Sequence, residues 1–172
     1  MTELRLRKRH RLRQKEIAAI SSSLNAALGT TTFDEEDVVD MAEGPEYEVV
    51  FVNGKILVFT PDGVPFLTVR GLLKYNPTRR FVTVDMGAVK FVYNGAHVMG
   101  PGVVACDKTI SEGDLVWIRD VNNLRPLAVG KAVASGEAIS RKDKGRVVQS
   151  IHHVGDKLWM FDETKEEDKP DQ

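Results

Sequence analysis

With 172 residues, 42% of them hydrophobic, and a net charge of -1, the chain has the composition of one or two small packed domains rather than of a disordered segment. The single cysteine, Cys106, excludes an internal disulfide and fits a reducing compartment, although one thiol could still join two chains. No apolar run approaches the roughly 20 residues needed to span a bilayer, and no apolar stretch backs the basic N-terminus as in a signal peptide, so the expected location is cytoplasmic with no membrane partner.

The small net charge hides a segregation. Residues 1–15 carry seven Lys or Arg against Glu3 alone, a net of +6, and residues 34–48 carry eight acids and no base. Residues 162–172 hold a net of -4, whereas Thr78 to Phe161 has twelve Lys or Arg and eight acids. A polyanion can therefore find basic surface on a chain whose pI is near 6.4.

In chain order, Leu4-Arg5-Leu6-Arg7 and His10-Arg11-Leu12-Arg13 alternate with period two, predicting a strand with one basic face. Ile17, Ile20, Leu24 and Leu28 then fall at helical spacing, with Gly29 placed to stop that helix. Val38, Val39 and Met41 suggest a short strand inside the acidic stretch. Tyr47 to Val52 and Lys55 to Phe59 flank Asn53-Gly54, the pair suited to a type I′ turn, and predict a hairpin. Pro61-Asp62-Gly63 marks a turn before a strand at Phe66 to Val69 and a short helix at Leu72 to Tyr75; Asn76-Pro77 makes a domain boundary.

Beyond it, Phe81 to Asp85 reads as a strand whose last residue caps a helix. That helix leads into Asn94-Gly95 and then Gly100-Pro101-Gly102. Leu115 to Arg119 and Leu127 to Val133 read as strands, with Gly130 interrupting the second, and Ser135 starts a short helix through Arg141 that ends near Lys144-Gly145. Val147 to Val154 and Lys157 to Phe161 flank Gly155-Asp156 as a second hairpin. Many short strands with small helices favour a compact barrel over a doubly wound sheet.

Val84-Asp85-Met86-Gly87-Ala88, Asn94-Gly95-Ala96-His97-Val98-Met99-Gly100-Pro101-Gly102-Val103, Ala128-Val129-Gly130-Lys131-Ala132 and Lys144-Gly145 closely resemble the PUA domain, named after pseudouridine synthase and archaeosine transglycosylase. With Leu72-Leu73-Lys74-Tyr75, Ser150-Ile151-His152-His153 and Leu158-Trp159, the whole chain resembles the archaeal relatives of the human protein called multiple copies in T-cell lymphoma, which joins a pre-PUA to a PUA domain; related halves occur in ligatin. The chain departs from the common pattern at Met86, at Gly100 and in its acidic C-terminal tail. The resemblance implies an α+β pre-PUA domain over 1–77 and a PUA β-pseudobarrel with short helices over 78–161; the charged composition of 162–172 predicts a disordered tail. The eukaryotic relatives resemble translation factors that act on the small ribosomal subunit together with density-regulated protein.

In such domains the first helix, the glycine loop after it and the last strand form the RNA-binding face. The resemblance therefore implies RNA contacts from Lys90, Gly95, Ala96, His97, Met99, Gly100, Pro101, Gly102, Arg146, His152 and Lys157. Each has a plainer reading beside it. Gly95 stops a helix, Tyr93 and Met99 fit a core, His97 closes a helix end, and period-two geometry sends His152 and His153 to opposite faces, so at most one meets a ligand. Arg5, Arg7, Arg9, Arg11 and Arg13 share one parity and form a second basic surface, read either as a phosphate track or as a charge-protected edge strand whose field the acidic stretch cancels.

No dinucleotide fingerprint, P-loop or Gly-x-Ser-x-Gly elbow is present. Four histidines and one cysteine give no zinc spacing, and nothing in the sequence assembles Ser111, Asp114 and His152 into a triad. The expectation is a non-enzymatic RNA-binding protein with no cofactor and no metal, an adaptor touching rRNA or tRNA and partnered by the small ribosomal subunit or a translation factor. An accessory subunit of an RNA-modification complex and a protein-interaction module are the alternatives.

Overall fold

The computed structural model describes residues 3–167, whose contacts divide the chain into two units. One comprises the described residues up to Pro77 together with those from Lys157 onward, and the other Thr78–Asp156. An α+β first unit and a barrel-like second unit with short helices are both present.

The first unit contains β1 (Arg7–Arg11), α1 (Gln14–Leu28), β2 (Val39–Glu43), β3 (Glu48–Val52), β4 (Lys55–Phe59), β5 (Phe66–Leu67) and α2 (Val69–Tyr75). Its five strands run β1-β2-β3-β4-β5 in spatial order, each antiparallel to the next. Val49 to Val52 and Ile56 to Phe59 are buried throughout, so the hairpin is the middle of the core rather than a surface ribbon. Asn53 and Gly54 both take positive φ, at 52° and 88°, and Val52 pairs with Lys55 across them, as the type I′ expectation requires. The expected strand over Phe66 to Val69 ends after two residues, because the Thr68 hydroxyl accepts the Gly71 N–H and starts α2 at Val69.

The second unit contains β6 (Phe81–Val84), α3 (Met86–Tyr93), β7 (Val98–Met99), β8 (Val103–Cys106), β9 (Leu115–Asp120), β10 (Pro126–Ala132), α4 (Gly136–Ser140) and β11 (Arg146–His153). Its sheet runs β7-β11-β10-β9-β6-β8, antiparallel except for β6 beside β9. The outermost strands of that order, β7 and β8, are joined in sequence by Gly100-Pro101-Gly102 alone. Three residues span at most about 11 Å, so the two edges are held close and the sheet curls towards closure around Val82, Val84, Val116, Ile118, Leu127 and Val148.

The expected second hairpin is not formed. Lys157 to Phe161 belongs to α5 (Lys157–Glu167), a helix of the first unit, which also takes in part of the stretch read as disordered; residues 168–172 lie outside the described residues. Asp162, 2% exposed, explains the helix: its Oδ2 accepts the Ile56 N–H at 3.1 Å and lies 3.4 Å from the Arg70 Nε. The Arg70 guanidinium in turn lies 3.8 Å over the Trp159 ring and donates to the Trp159 carbonyl. Among the described residues no helix is long and apolar enough to cross a membrane.

Candidate nucleic-acid interface

The site is built on α3. Asp85 caps it, its Oδ1 accepting the Ala88 N–H at 2.9 Å, and eight residues make the helix about 12 Å long. Gly87, Ala88, Phe91 and Val92 fall on one stripe at i, i+1, i+4 and i+5. That stripe forms one wall of a groove of about 780 Å³; Val98, Met99, Pro101 and Gly102 form the other, and Asp85, Ala96, His97 and Arg146 complete its lining. Phe91 is 58% exposed and Met99 50% exposed, so both offer apolar surface that no core covers.

The polar groups are few and fixed. Nδ1 of His97 accepts the Ser150 N–H at 2.9 Å, so a neutral ring carries its proton on Nε2 as a donor. Arg146 stands opposite Met99 in the β11–β7 register. It ends the segment Arg141-Lys142-Asp143-Lys144-Gly145-Arg146, which is exposed throughout. Among the described residues none of its four cations is ion-paired. The segment is nevertheless anchored: the Arg141 and Lys142 N–H groups donate to the last turn of α4, and the Gly145 carbonyl accepts the Gly100 N–H at 2.9 Å. Arg146 in the lining, at the end of an exposed run of cations on an anchored backbone, suits the groove to a phosphodiester chain with its bases turned inward.

The expected RNA-contact residues divide. Ala96, His97, Met99, Pro101, Gly102 and Arg146 line this groove, and Lys90 lies exposed on α3 outside the lining, with Nζ 5.2 Å from the Phe91 ring. Met99 and Tyr93, for which a core place was an alternative, are both exposed. Gly100 is buried, and a Cβ there would stand 1.8 Å from the Asp143 carbonyl oxygen, so packing alone requires its lack of a side chain. Gly95 has φ +90°, and a Cβ would meet Nε2 of His153 at 2.8 Å. Helix exit and the His153 ring thus account for this glycine.

One expected contact is corrected: His152 is 2% exposed and bonded through Nδ1 to Asp156 at 2.8 Å. Lys157 begins α5 and is not part of a last hairpin, so it stands in a different element from the one expected. The second basic surface is also changed. Lys8 adopts φ 56° and the β1–β2 register slips there, so the arginines do not alternate as in a regular strand. Arg9 and Arg11 both bind Asp40, Arg7 and Lys8 face Glu43, and Arg13 sits at the start of α1, so the acids of β2 cancel much of this field. Asp85, Phe91, Arg141, Lys142 and Lys144 were missed; the visible signal was the density of charge between α4 and β11.

Residues 80–154 match the PUA domain family. Over 168 aligned residues, 87% of this chain and 92% of the relative, the chain is 30% identical to translation machinery-associated protein 20 of Saccharomyces cerevisiae. The chain belongs to that family. It is also 34% identical to malignant T-cell-amplified sequence 1 of Rattus norvegicus over 116 residues, 65% of this chain and 64% of the rat protein. A crystal structure of a hypothetical protein from Pyrococcus horikoshii superposes with a TM-score of 0.78 at 33% identity, covering 90% of this chain and 99% of the other. The resemblance read from the glycine-rich motifs therefore holds across both units.

Proposed function

We propose that this protein is a non-enzymatic RNA-binding adaptor of the translation machinery, which receives unpaired nucleotides of small-subunit rRNA or of a tRNA end in the groove along α3. The observation that carries this reading is the pairing of an exposed Phe91–Met99 surface with the anchored cations of residues 141–146. Stacking on such a surface holds unpaired bases of any identity, and the cations supply the salt-dependent attraction. The family relationship to translation machinery-associated protein 20 supports the choice of process, and a cytoplasmic location accords with it.

The test is fluorescence anisotropy with labelled small-subunit rRNA fragments and tRNA, with and without its terminal CCA, at two salt concentrations. Phe91→Ala and Arg146→Gln are the variants, because both side chains are exposed and neither supports the core. Tight wild-type binding weakened in both supports the reading. Absence of binding by folded wild-type protein at low salt refutes it. Co-sedimentation with small ribosomal subunits tests the adaptor role separately.

A further inference from the structure

We propose that Asp85 makes the groove selective, at its α3 N-terminal end, for an unpaired base bearing an exocyclic amino group, and that it rejects uracil there. The inference rests on the RNA-binding reading and adds a chemical preference to it. Capping α3 uses one carboxylate oxygen, Oδ1, and Ser, Thr or Asn would serve that purpose as well. The charge and Oδ2 are surplus to the cap. Among the described residues no cation pairs with Asp85, although the carboxylate is half-buried and lines the groove. Its neighbours in the lining at this end, Gly87, Ala88, Pro101 and Gly102, offer no side-chain donor.

An ionised carboxylate only accepts hydrogen bonds. Cytosine offers its N4 amino group, adenine its N6 amino group, and guanine N1–H with its N2 amino group; carboxylate recognition of cytosine N4 is an established pairing chemistry. Uracil has only N3–H, flanked by two carbonyl oxygens whose lone pairs would face Asp85. The phosphate has its own partner: Arg146, opposite Met99 in the β11–β7 register, is the cation of the lining. At the far end the Nε2–H of His97 is a donor, so the groove is polar in two senses, accepting at Asp85 and donating at His97.

The experiment compares labelled oligocytidylate and oligouridylate of equal length by anisotropy, against wild type, Asp85→Asn and Phe91→Ala. Two pyrimidines of similar stacking area isolate the polar preference. Wild type is expected to favour the cytidylate about tenfold, the effect of one base contact. Asp85→Asn still caps α3 and its amide both donates and accepts, so the ratio should fall close to one, mainly through tighter uridylate binding. A wild-type ratio within twofold of one, or a ratio that survives Asp85→Asn, overturns the proposal. Equal binding of both oligomers that is abolished in Phe91→Ala would overturn the role of Asp85 while leaving the groove as the RNA site. Binding of neither overturns both.

Discussion

Replacing Gly100 by alanine should open the barrel. The added methyl would lie 1.8 Å from the Asp143 carbonyl oxygen, 2.9 Å from its carbon and 3.3 Å from its nitrogen, so the obstruction is backbone and cannot rotate away. Relief requires residues 141–145 to withdraw by more than an ångström. That withdrawal also strains the bond from the Gly100 N–H to the Gly145 carbonyl. Overpacking of this kind costs about 1–3 kcal/mol, and losing the hydrogen bond adds roughly 1 kcal/mol, for a total of about 2–4 kcal/mol. With an m value of about 2 kcal/mol per M of urea, the midpoint for the Thr78–Asp156 unit should fall by roughly 1–2 M. The assay is urea unfolding followed by far-UV dichroism, with Gly102→Ala as the internal comparison. A methyl at Gly102 meets only the Ala88 Cβ at 3.2 Å, a clash that a few tenths of an ångström relieve. The reasoning is refuted if Gly100→Ala melts with wild type, or if Gly102→Ala costs as much. An unchanged melt without RNA binding would make Gly100 a ligand contact instead of a seam.

Asp162→Ala should destabilise the first unit by about 3 kcal/mol, because it leaves the Ile56 N–H unbonded and strips a buried carboxylate from Arg70; urea unfolding measures it, and Asp162→Asn should recover only part. The hydrogen bond from the Arg11 guanidinium, against the opposing effect of burial and with help from Arg9, holds the Asp40 carboxyl below its usual value of 3.8. Its stabilising contribution is present above that value and is lost as pH falls through the lower folded one, so Asp40→Asn should flatten the acid limb of the stability profile, read as urea midpoints from pH 6 down to about 2. Neutralising Arg141, Lys142, Lys144 and Arg146 together to Gln should reduce the slope of log K against log salt for single-stranded RNA by up to about 0.7 for each phosphate that the variant no longer neutralises. Phe91→Ala should instead weaken binding by about 1–3 kcal/mol with the slope intact, since stacking releases no counterions.

What was legible in the sequence was local. Asn53-Gly54 specifies its turn through two backbone torsions, and Asp85 and Ser135 cap their helices through hydroxyl or carboxylate oxygens three residues from the donors they satisfy. What was not legible depends on distant partners. Lys157 to Phe161 carries no helical periodicity of its own, and its conformation is tied to a bond from Ile56 to Asp162 across more than a hundred residues. The five odd-numbered arginines looked aligned because a regular strand was assumed, and one left-handed residue, Lys8, ended that alignment. Within the proposed site, the glycine motif lies beside the groove, but two of its glycines have packing reasons of their own that only the fold makes visible. Gly95 and Gly100 are occupied by their own fold, and the surface left for a ligand belongs to Phe91, Met99 and the cations beside them.

The chain leaves its first unit at Pro77 and returns to it only at Lys157. During synthesis, therefore, the Ile56 amide and the Arg70 side chain emerge long before the carboxylate that will satisfy them. At roughly 5–20 residues per second the second unit takes about 4–16 s to appear, and throughout that interval the first sheet lacks α5. The barrel has all its own strands by Asp156, so it can mature first, and the earlier-made half is the later to be finished. The β1–β5 sheet thus depends on a helix supplied some eighty residues after the rest of its unit, and a chain cut short between Asp156 and Lys157 would keep every strand of the groove while leaving that sheet without α5.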